Sequence, residues 1–195
     1  FDAVMPEIPT NSIINKTITG CGATHSEIVN AARHSIIIEP NIPVILGKKA
    51  EHPFLFAVYE GITKEDVKAY LAGEHDGYRK IITTPEGFDK KVLPAMHELE
   101  IPVYKDYFLL FDECEKAIQD VGYRGDIYLP VEDFFKFENK AMVSATPIVP
   151  SDPRFGENGF KILKLVPTYD SRIELTLCTT NNTVAVMRKL LKRLG

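Results

Sequence analysis

Two short stretches carry residue types suited to a phosphorylated ligand. The first, Thr17–Ser26 (TITGCGATHS), places Gly20, Cys21 and Gly22 ahead of Ala23, Thr24 and His25. A glycine-rich turn between a strand and a helix lets backbone N–H groups face an anion, and the helix start adds a favourable dipole. A complete phosphate loop also has a lysine after its last glycine, for the β- and γ-phosphates, and then Ser or Thr for magnesium. Here Ala23 stands at the lysine position, while Thr24 keeps the hydroxyl. The second stretch, Leu109–Glu113 (LLFDE), is an apolar run ending in two carboxylates. Ligands of open α/β sheets bind at the carboxyl ends of strands. Asp112 there suits magnesium held through water, and Glu113 suits orienting or deprotonating an attacking water. Each stretch also has a plainer reading. Two glycines make a tight strand-to-helix turn, and an acidic pair caps a helix, which ECEKAIQD could continue. A third stretch, Ser144–Ala145–Thr146, offers hydroxyls that could hydrogen-bond the carboxylate pair, or simply a strand-end turn before Pro147.

The surrounding sequence supplies elements to position these residues. Ser12–Thr19, Ser35–Glu39, Phe54–Tyr59, Arg79–Thr83, Tyr107–Asp112 and Lys140–Ser144 have the β-branched, near-continuous apolar character of strands buried on both faces. Helices are predicted over His25–Arg33, Lys64–Ala72 and Gly87–Glu98, with Thr63 as an N-cap and Asp66 at the reciprocal position of a capping box. Strand–helix–strand alternation with right-handed crossovers implies an α/β fold with a mainly parallel sheet. The composition changes near Thr146, where PIVPSDPRFGENG gathers prolines and glycines. The expected division is therefore a domain over residues 1–150, then a linker and the opening of a second unit over 151–195. That tail contains Phe160–Val166, Arg172–Thr179 and an amphipathic, basic helix over Thr183–Leu194.

The chain has 195 residues, 45% of them hydrophobic and 26% charged, with a net charge of −4. This is an ordinary globular composition, and it argues against a protein coated all over in basic charge. A local basic groove is not excluded. Three cysteines without a CxxC pair point to thiols in a reducing compartment, hence a cytoplasmic location. No apolar run approaches the roughly 18 residues of a membrane span, so no membrane partner is expected. The five histidines show no metal-ligand spacing with acids or cysteines. Cys114 is expected to be a buried small residue, and Phe134, Phe135 and Phe137 to pack rather than stack bases. The opening Phe1 favours a fragment of a longer protein.

Taken together and in order, the motifs resemble those of the first RecA-like domain of superfamily 2 helicases and related DEAD-box-like ATPases. TGCGAT is similar to their TGxGKT loop, FDEC to their DExx motif, and SAT to their third motif. IIIEPNIPVI, around Pro40 and Asn41, and KIITTPEGF, around Thr83, Thr84 and Pro85, resemble the segments with which that family touches the nucleic-acid backbone. The resemblance covers about residues 10–150. It implies a P-loop NTPase (RecA-like) three-layer fold, with ATP and Mg2+ as ligands, nucleotide held by Gly20–His25, and magnesium held by Thr24 and Asp112. It further implies Glu113 and Asp112 as catalytic residues, Ser144 and Thr146 as a coupling motif, and nucleic acid, DNA or RNA, as a partner.

The departure is Ala23, which removes a cation from the γ-phosphate; losing one such preorganised contact commonly costs on the order of 100-fold in rate. Weak nucleotide binding through the loop backbone, Thr24 and Asp112 is expected, with Lys16, Lys48 and Lys49 as candidate substitutes. His25 suits either a phosphate contact or an ordinary first helical turn. Motors of this family work with a second RecA-like domain, so this chain is not expected to unwind nucleic acid as it stands. The alternative function is a catalytically inactive RecA-like scaffold binding nucleic acid or protein. A different α/β ligand binder, such as a nucleotide-metabolism enzyme, would place its pocket away from Gly20–Thr24 and Asp112–Glu113.

Overall fold

The structure is a computed structural model, and it describes residues 5–17, 20–114, 131–146, 150, 152–166, 184 and 187–188. The elements alternate as the sequence implies. In chain order they are β1 (Ser12–Lys16), α1 (Ala23–Val29), β2 (His34–Ile38), α2 (Ile42–Glu51), β3 (Phe56–Val58), α3 (Lys64–Ala72) and β4 (Lys80–Thr83). There follow α4 (Pro85–Gly87), a π-helical turn (Phe88–Val92), α5 (Leu93–Glu98), α6 (Val103–Asp106), β5 (Tyr107–Asp112), α7 (Val131–Lys136), β6 (Asn139–Ser144), α8 (Pro153–Glu157) and β7 (Lys161–Leu165). The described strands form one seven-stranded sheet in the order β3-β4-β2-β5-β6-β1-β7, and every pairing is parallel.

Alternation along each strand builds two separate cores. Ile13, Ile36, Ile38, Ile81, Leu109, Phe111 and Met142 face one side, where they meet Val67 and Leu71 of α3, Phe88 and Val92 of the π turn, Met96 of α5 and Phe134 of α7. Ile14, Ile37, Ile82, Phe108, Leu110 and Val143 face the other, against Ala23 and Ile28 of α1 and Ile45 of α2. Ile36, Ile37 and Ile38 are consecutive and fully buried, the signature of a strand covered on both faces. Each such side chain contributes roughly 1.5–3 kcal/mol by leaving water. The result is the three-layer α/β architecture of the RecA-like kind.

Local chemistry sets the element ends. The Thr63 capping box forms: the Asp66 N–H donates to Thr63 Oγ1, and the Thr63 N–H donates to Asp66 Oδ2 at 2.8 Å. α1 begins at Ala23 rather than His25, because Gly22 takes a left-handed conformation (φ 90°) that lets the chain turn straight from the loop into the helix. It stops at Val29, not Arg33, where Asn30 becomes extended and its side chain accepts from the Ala32 N–H. The helix expected over Gly87–Glu98 begins earlier, at Pro85, and is interrupted by the π turn. Pro94 offers no N–H to the turn before it, and the Leu93 N–H bonds instead to the Phe88 carbonyl.

The sheet extends past the boundary expected at residue 150. β7 pairs with β1 along its whole length, Ser12 opposite Lys161 and Lys16 opposite Leu165. The segment leading to it is fastened by the buried Lys140, whose ammonium donates to the Phe137 carbonyl and to Asn158. Phe155 and Phe160 pack against Phe134 and Phe135. The aromatic group of α7 is thus packing material, with Phe134 and Phe137 fully buried. Arg172–Thr179, Cys178 and the greater part of Thr183–Leu194 lie outside the described residues. No helix among the described residues is long and apolar enough to cross a membrane.

Candidate functional site

Parallel strands leave all their carboxyl ends on one edge, and the carboxylates expected to do chemistry, Asp112 and Glu113, lie there at the end of one strand, with a further carboxylate, Glu39, after its neighbour. Asp112 closes β5, and Glu39 follows β2, its register neighbour. On the far side of β6, β1 ends in Lys16. Asp112 and Lys16 lie on the same face of the sheet as α1 and α2, as the side-chain alternation requires. Two strand spacings, about 10 Å, separate their backbones. Only a long side chain can close that gap.

Lys16 closes it. Its Nζ lies 2.8 Å from Asp112 Oδ1 and 3.0 Å from Glu113 Oε1, and the residue is 6% exposed. Burial alone would lower its pKa, but the two carboxylates outweigh that and hold the ammonium well above the ordinary lysine range. Thr24 meets the same carboxylate from the loop side, donating its hydroxyl to Asp112 Oδ2. Asp112 is thereby gripped through both oxygens, and Oδ1 also accepts the Glu113 N–H at 2.9 Å. Glu113 itself has φ 50°, a left-handed conformation uncommon for a residue with a side chain. That turn sets its carboxylate beside the Lys16 ammonium.

These groups line a cavity of about 300 Å³ with Gly20, Gly22, Ala23, His25, Asn41 and Lys48, at the lower end of the sizes typical of small-molecule sites. The glycine loop therefore faces the acidic pair across one space. Gly20 and Gly22 both have positive φ, which is why this turn needs glycines. Ile18 and Thr19 lie outside the described residues. Cys21 is a half-buried free thiol at the cavity edge, and Cys114 is buried, as expected.

Two further residues of the cavity region, Glu39 and His52, carry weight that the sequence alone did not give them, and Lys48 and Lys49 are placed differently from one another. Glu39 is 1% exposed and accepts both the backbone N–H and the side-chain amide of Asn41. Burial pushes its carboxyl up from an ordinary 4.5 to about 7, and the charges of Asp112 and Glu113 add to the shift against those hydrogen bonds. An acid directly after the apolar run Ile36–Ile38 was the signal, the same kind that singled out Asp112. His52 lies 3.2 Å from His25, Nε2 to Nδ1, and burial lowers its pKa. Lys48 lines the cavity from α2 but is ion-paired with Glu51 at 2.8 Å. Lys49 points elsewhere, donating to the Pro53 carbonyl.

The remaining candidates divide. Ser144 is buried at the end of β6, between β1 and β5, and exchanges hydrogen bonds with the Thr146 backbone: its hydroxyl donates to the carbonyl at 2.6 Å and accepts the N–H at 2.9 Å. Pro40 and Asn41 follow β2, and Thr83, Thr84 and Pro85 close β4 beside it. Thr83 and Pro85 are buried, and the Thr84 hydroxyl accepts the Gly87 N–H as a helix cap. Their side chains shape the turn. Chemically, the cavity offers a hydroxyl–carboxylate pair suited to a hydrated divalent cation, a second carboxylate, and a buried ammonium suited to an oxyanion. Comparison of the chain with protein-family models and with curated proteins finds no match.

Proposed function

We propose that the chain is a helicase-like, RecA-type domain that binds magnesium–ATP in this cavity and nucleic-acid backbone along the neighbouring strand ends. The resemblance of its five ordered motifs motivates the reading. The contact that carries it is the hydrogen bond from the Thr24 hydroxyl to Asp112, which joins the glycine loop to the strand-end carboxylate at the point where a metal–phosphate group has to be held. Thr24 and Asp112 are the residues to hold magnesium, which when bound supplies positive charge to the phosphate oxygens. The backbone of Gly20 to Thr24 faces the phosphates, with His25 beside it. Glu113 orients water for in-line attack on the γ-phosphate. Ser144, at the end of the strand between the two halves of the site, and Thr146 just beyond it transmit its state to a second RecA-like domain.

Calorimetric titration of magnesium–ATP into the chain tests the nucleotide half. Weak binding that disappears with Asp112→Asn is expected, and no heat at millimolar nucleotide would overturn it. For the nucleic-acid half, fluorescence titration with single-stranded DNA and RNA oligonucleotides should give affinities that fall steeply with salt and depend little on sequence. The alternative, an inactive RecA-like scaffold for nucleic acid or protein, draws on Ala23, whose methyl is 2% exposed where the family has its lysine. Oligonucleotide binding without nucleotide binding would select it.

A further inference from the structure

We infer that Lys16, reaching from the end of β1, supplies the phosphate-binding cation that the loop lacks at Ala23. The inference rests on the nucleotide reading above and deepens it by assigning the group that recognises the triphosphate end of the ligand.

Three observations carry it. Lys16 and Ala23 line the same cavity, so the strand delivers an ammonium to the space that a lysine in the loop would have served. The ammonium is buried and held at 2.8 and 3.0 Å by the two carboxylates that the site would use for metal and water. A cation held at Asp112 competes with the Lys16 ammonium for the same carboxylate, by like-charge repulsion as well as for its acceptor sites, so ligand binding is expected to draw Lys16 away from Asp112. Drawn off Asp112, the buried ammonium keeps only Glu113, at 3.0 Å, and a further anion in the cavity restores the partner it has lost. Phosphate oxygens entering the cavity are the group that meets this need. Of the other two candidate lysines, Lys48 also lines the cavity but is paired with the exposed Glu51, and Lys49 donates to the Pro53 carbonyl.

The pairing has a second consequence. In the free protein Lys16 offsets one of the two negative charges of Asp112 and Glu113 and bridges both carboxylates, so the acidic pair is held together without a bound cation, and nucleotide and metal should enter together. Free magnesium should bind poorly, and the Lys16→Met variant should bind it better.

The test is titration of magnesium–ATP, and separately of magnesium chloride, into the wild-type chain and into Lys16→Met, Lys16→Arg, Lys48→Ala and Lys49→Ala variants. Lys16→Met should weaken magnesium–ATP at least tenfold while strengthening magnesium alone. Lys16→Arg should retain part of the affinity, Lys49→Ala should be unchanged, and Ala23→Lys in the Lys16→Met background should recover binding from the loop side. Nucleotide binding by Lys16→Met within threefold of wild type would overturn the inference and leave the nucleotide reading standing, as would a loss that follows Lys48→Ala instead. Absence of binding by the wild-type chain would overturn both. Should Lys16→Met fail to fold, the unmodified chain is treated with an acyl-phosphate derivative of ATP, whose acyl group passes to a nearby lysine amine as an amide while the nucleotide leaves. Acylation of Lys16 that excess magnesium–ATP suppresses supports the assignment; acylation at Lys48 alone, or none at Lys16, overturns it.

Discussion

The carboxylate of Glu27 and the ammonium of Lys80 lie 3.6 Å apart in the interior, at the end of the sheet away from the cavity. Glu27 sits in the last turn of α1 and also accepts from Arg33, at 2.6 Å, and from the Ser35 hydroxyl. Lys80 donates to Ser35 as well. Arg33 continues the network to the Ile8 carbonyl and stacks over Phe108. One buried acid therefore ties α1, β2, β4 and the segment before β1 together. Removing it takes the carboxylate from the buried Lys80, while Arg33 keeps Glu7 at 2.8 Å. Glu27→Ala is expected to lose about 3–5 kcal/mol, measurable by urea denaturation, and a loss under about 1 kcal/mol, the range of an exposed pair, would show that the network is not coupled to folding.

Glu39 makes stability depend on pH in the direction opposite to most carboxylates. Its folded pKa of about 7 lies above the ordinary 4.5. Between those values the folded chain keeps a proton that the unfolded chain has released, so stability falls as pH rises through the interval, by up to about 3 kcal/mol. Glu39→Gln removes that contribution. The variant should match the wild type near pH 4.5 and exceed it at pH 8, as read by chemical denaturation at each pH; a constant difference across the range would contradict this.

Gly87 is required for closeness, since its φ is the ordinary −65° of a helix. A methyl group there would meet Thr83 Oγ1 at 2.5 Å, Thr84 Oγ1 at 3.1 Å and the Val58 carbonyl at 3.3 Å. Gly87→Ala is expected to cost about 1–3 kcal/mol by overpacking and to disturb the β4 turn proposed to approach nucleic acid. Thermal unfolding and oligonucleotide titration of the same variant separate the two effects.

Thr24→Val keeps the shape of the side chain and deletes its hydroxyl. A hydrogen bond to a charged carboxylate is worth roughly 1.5–3 kcal/mol, so magnesium–ATP affinity should fall about tenfold or more. Affinity equal to wild type would remove Thr24 from the proposed site.

The strands were legible because continuous β-branched runs such as Ser35–Ile38 have no solvent face to obscure them, and Thr63 because its capping chemistry is local. α2 was not foreseen. Its apolar residues lie next to one another, and only Ile45 is buried while Val44 and Leu46 are exposed, so no helical stripe shows in the sequence. Asn41 before Pro43, with Lys48 and Lys49 in the last turn, was the available signal. The pairing of Lys16 with Asp112 joins residues 96 positions apart and depends on β6 separating β1 from β5. Residue types could mark Lys16 as one of three candidates, but only the strand order brings it to the carboxylates.

The placement of β1 between β6 and β7 also bears on how the chain is made. Among the described residues β1 pairs only with 139–144 and 161–165, far later in the chain, and contacts of such long sequence separation close slowly. β2, β3, β4 and β5 need none of that later chain to pair with one another. Pulsed hydrogen exchange during refolding should therefore find the amides of Ile13 and Ile14 protected later than those of Ile36 to Ile38. Since Lys16 and Thr24 are carried by β1 and α1 and Asp112 by β5, the cavity is assembled only when the late strand is seated, and its occupancy reports a finished molecule.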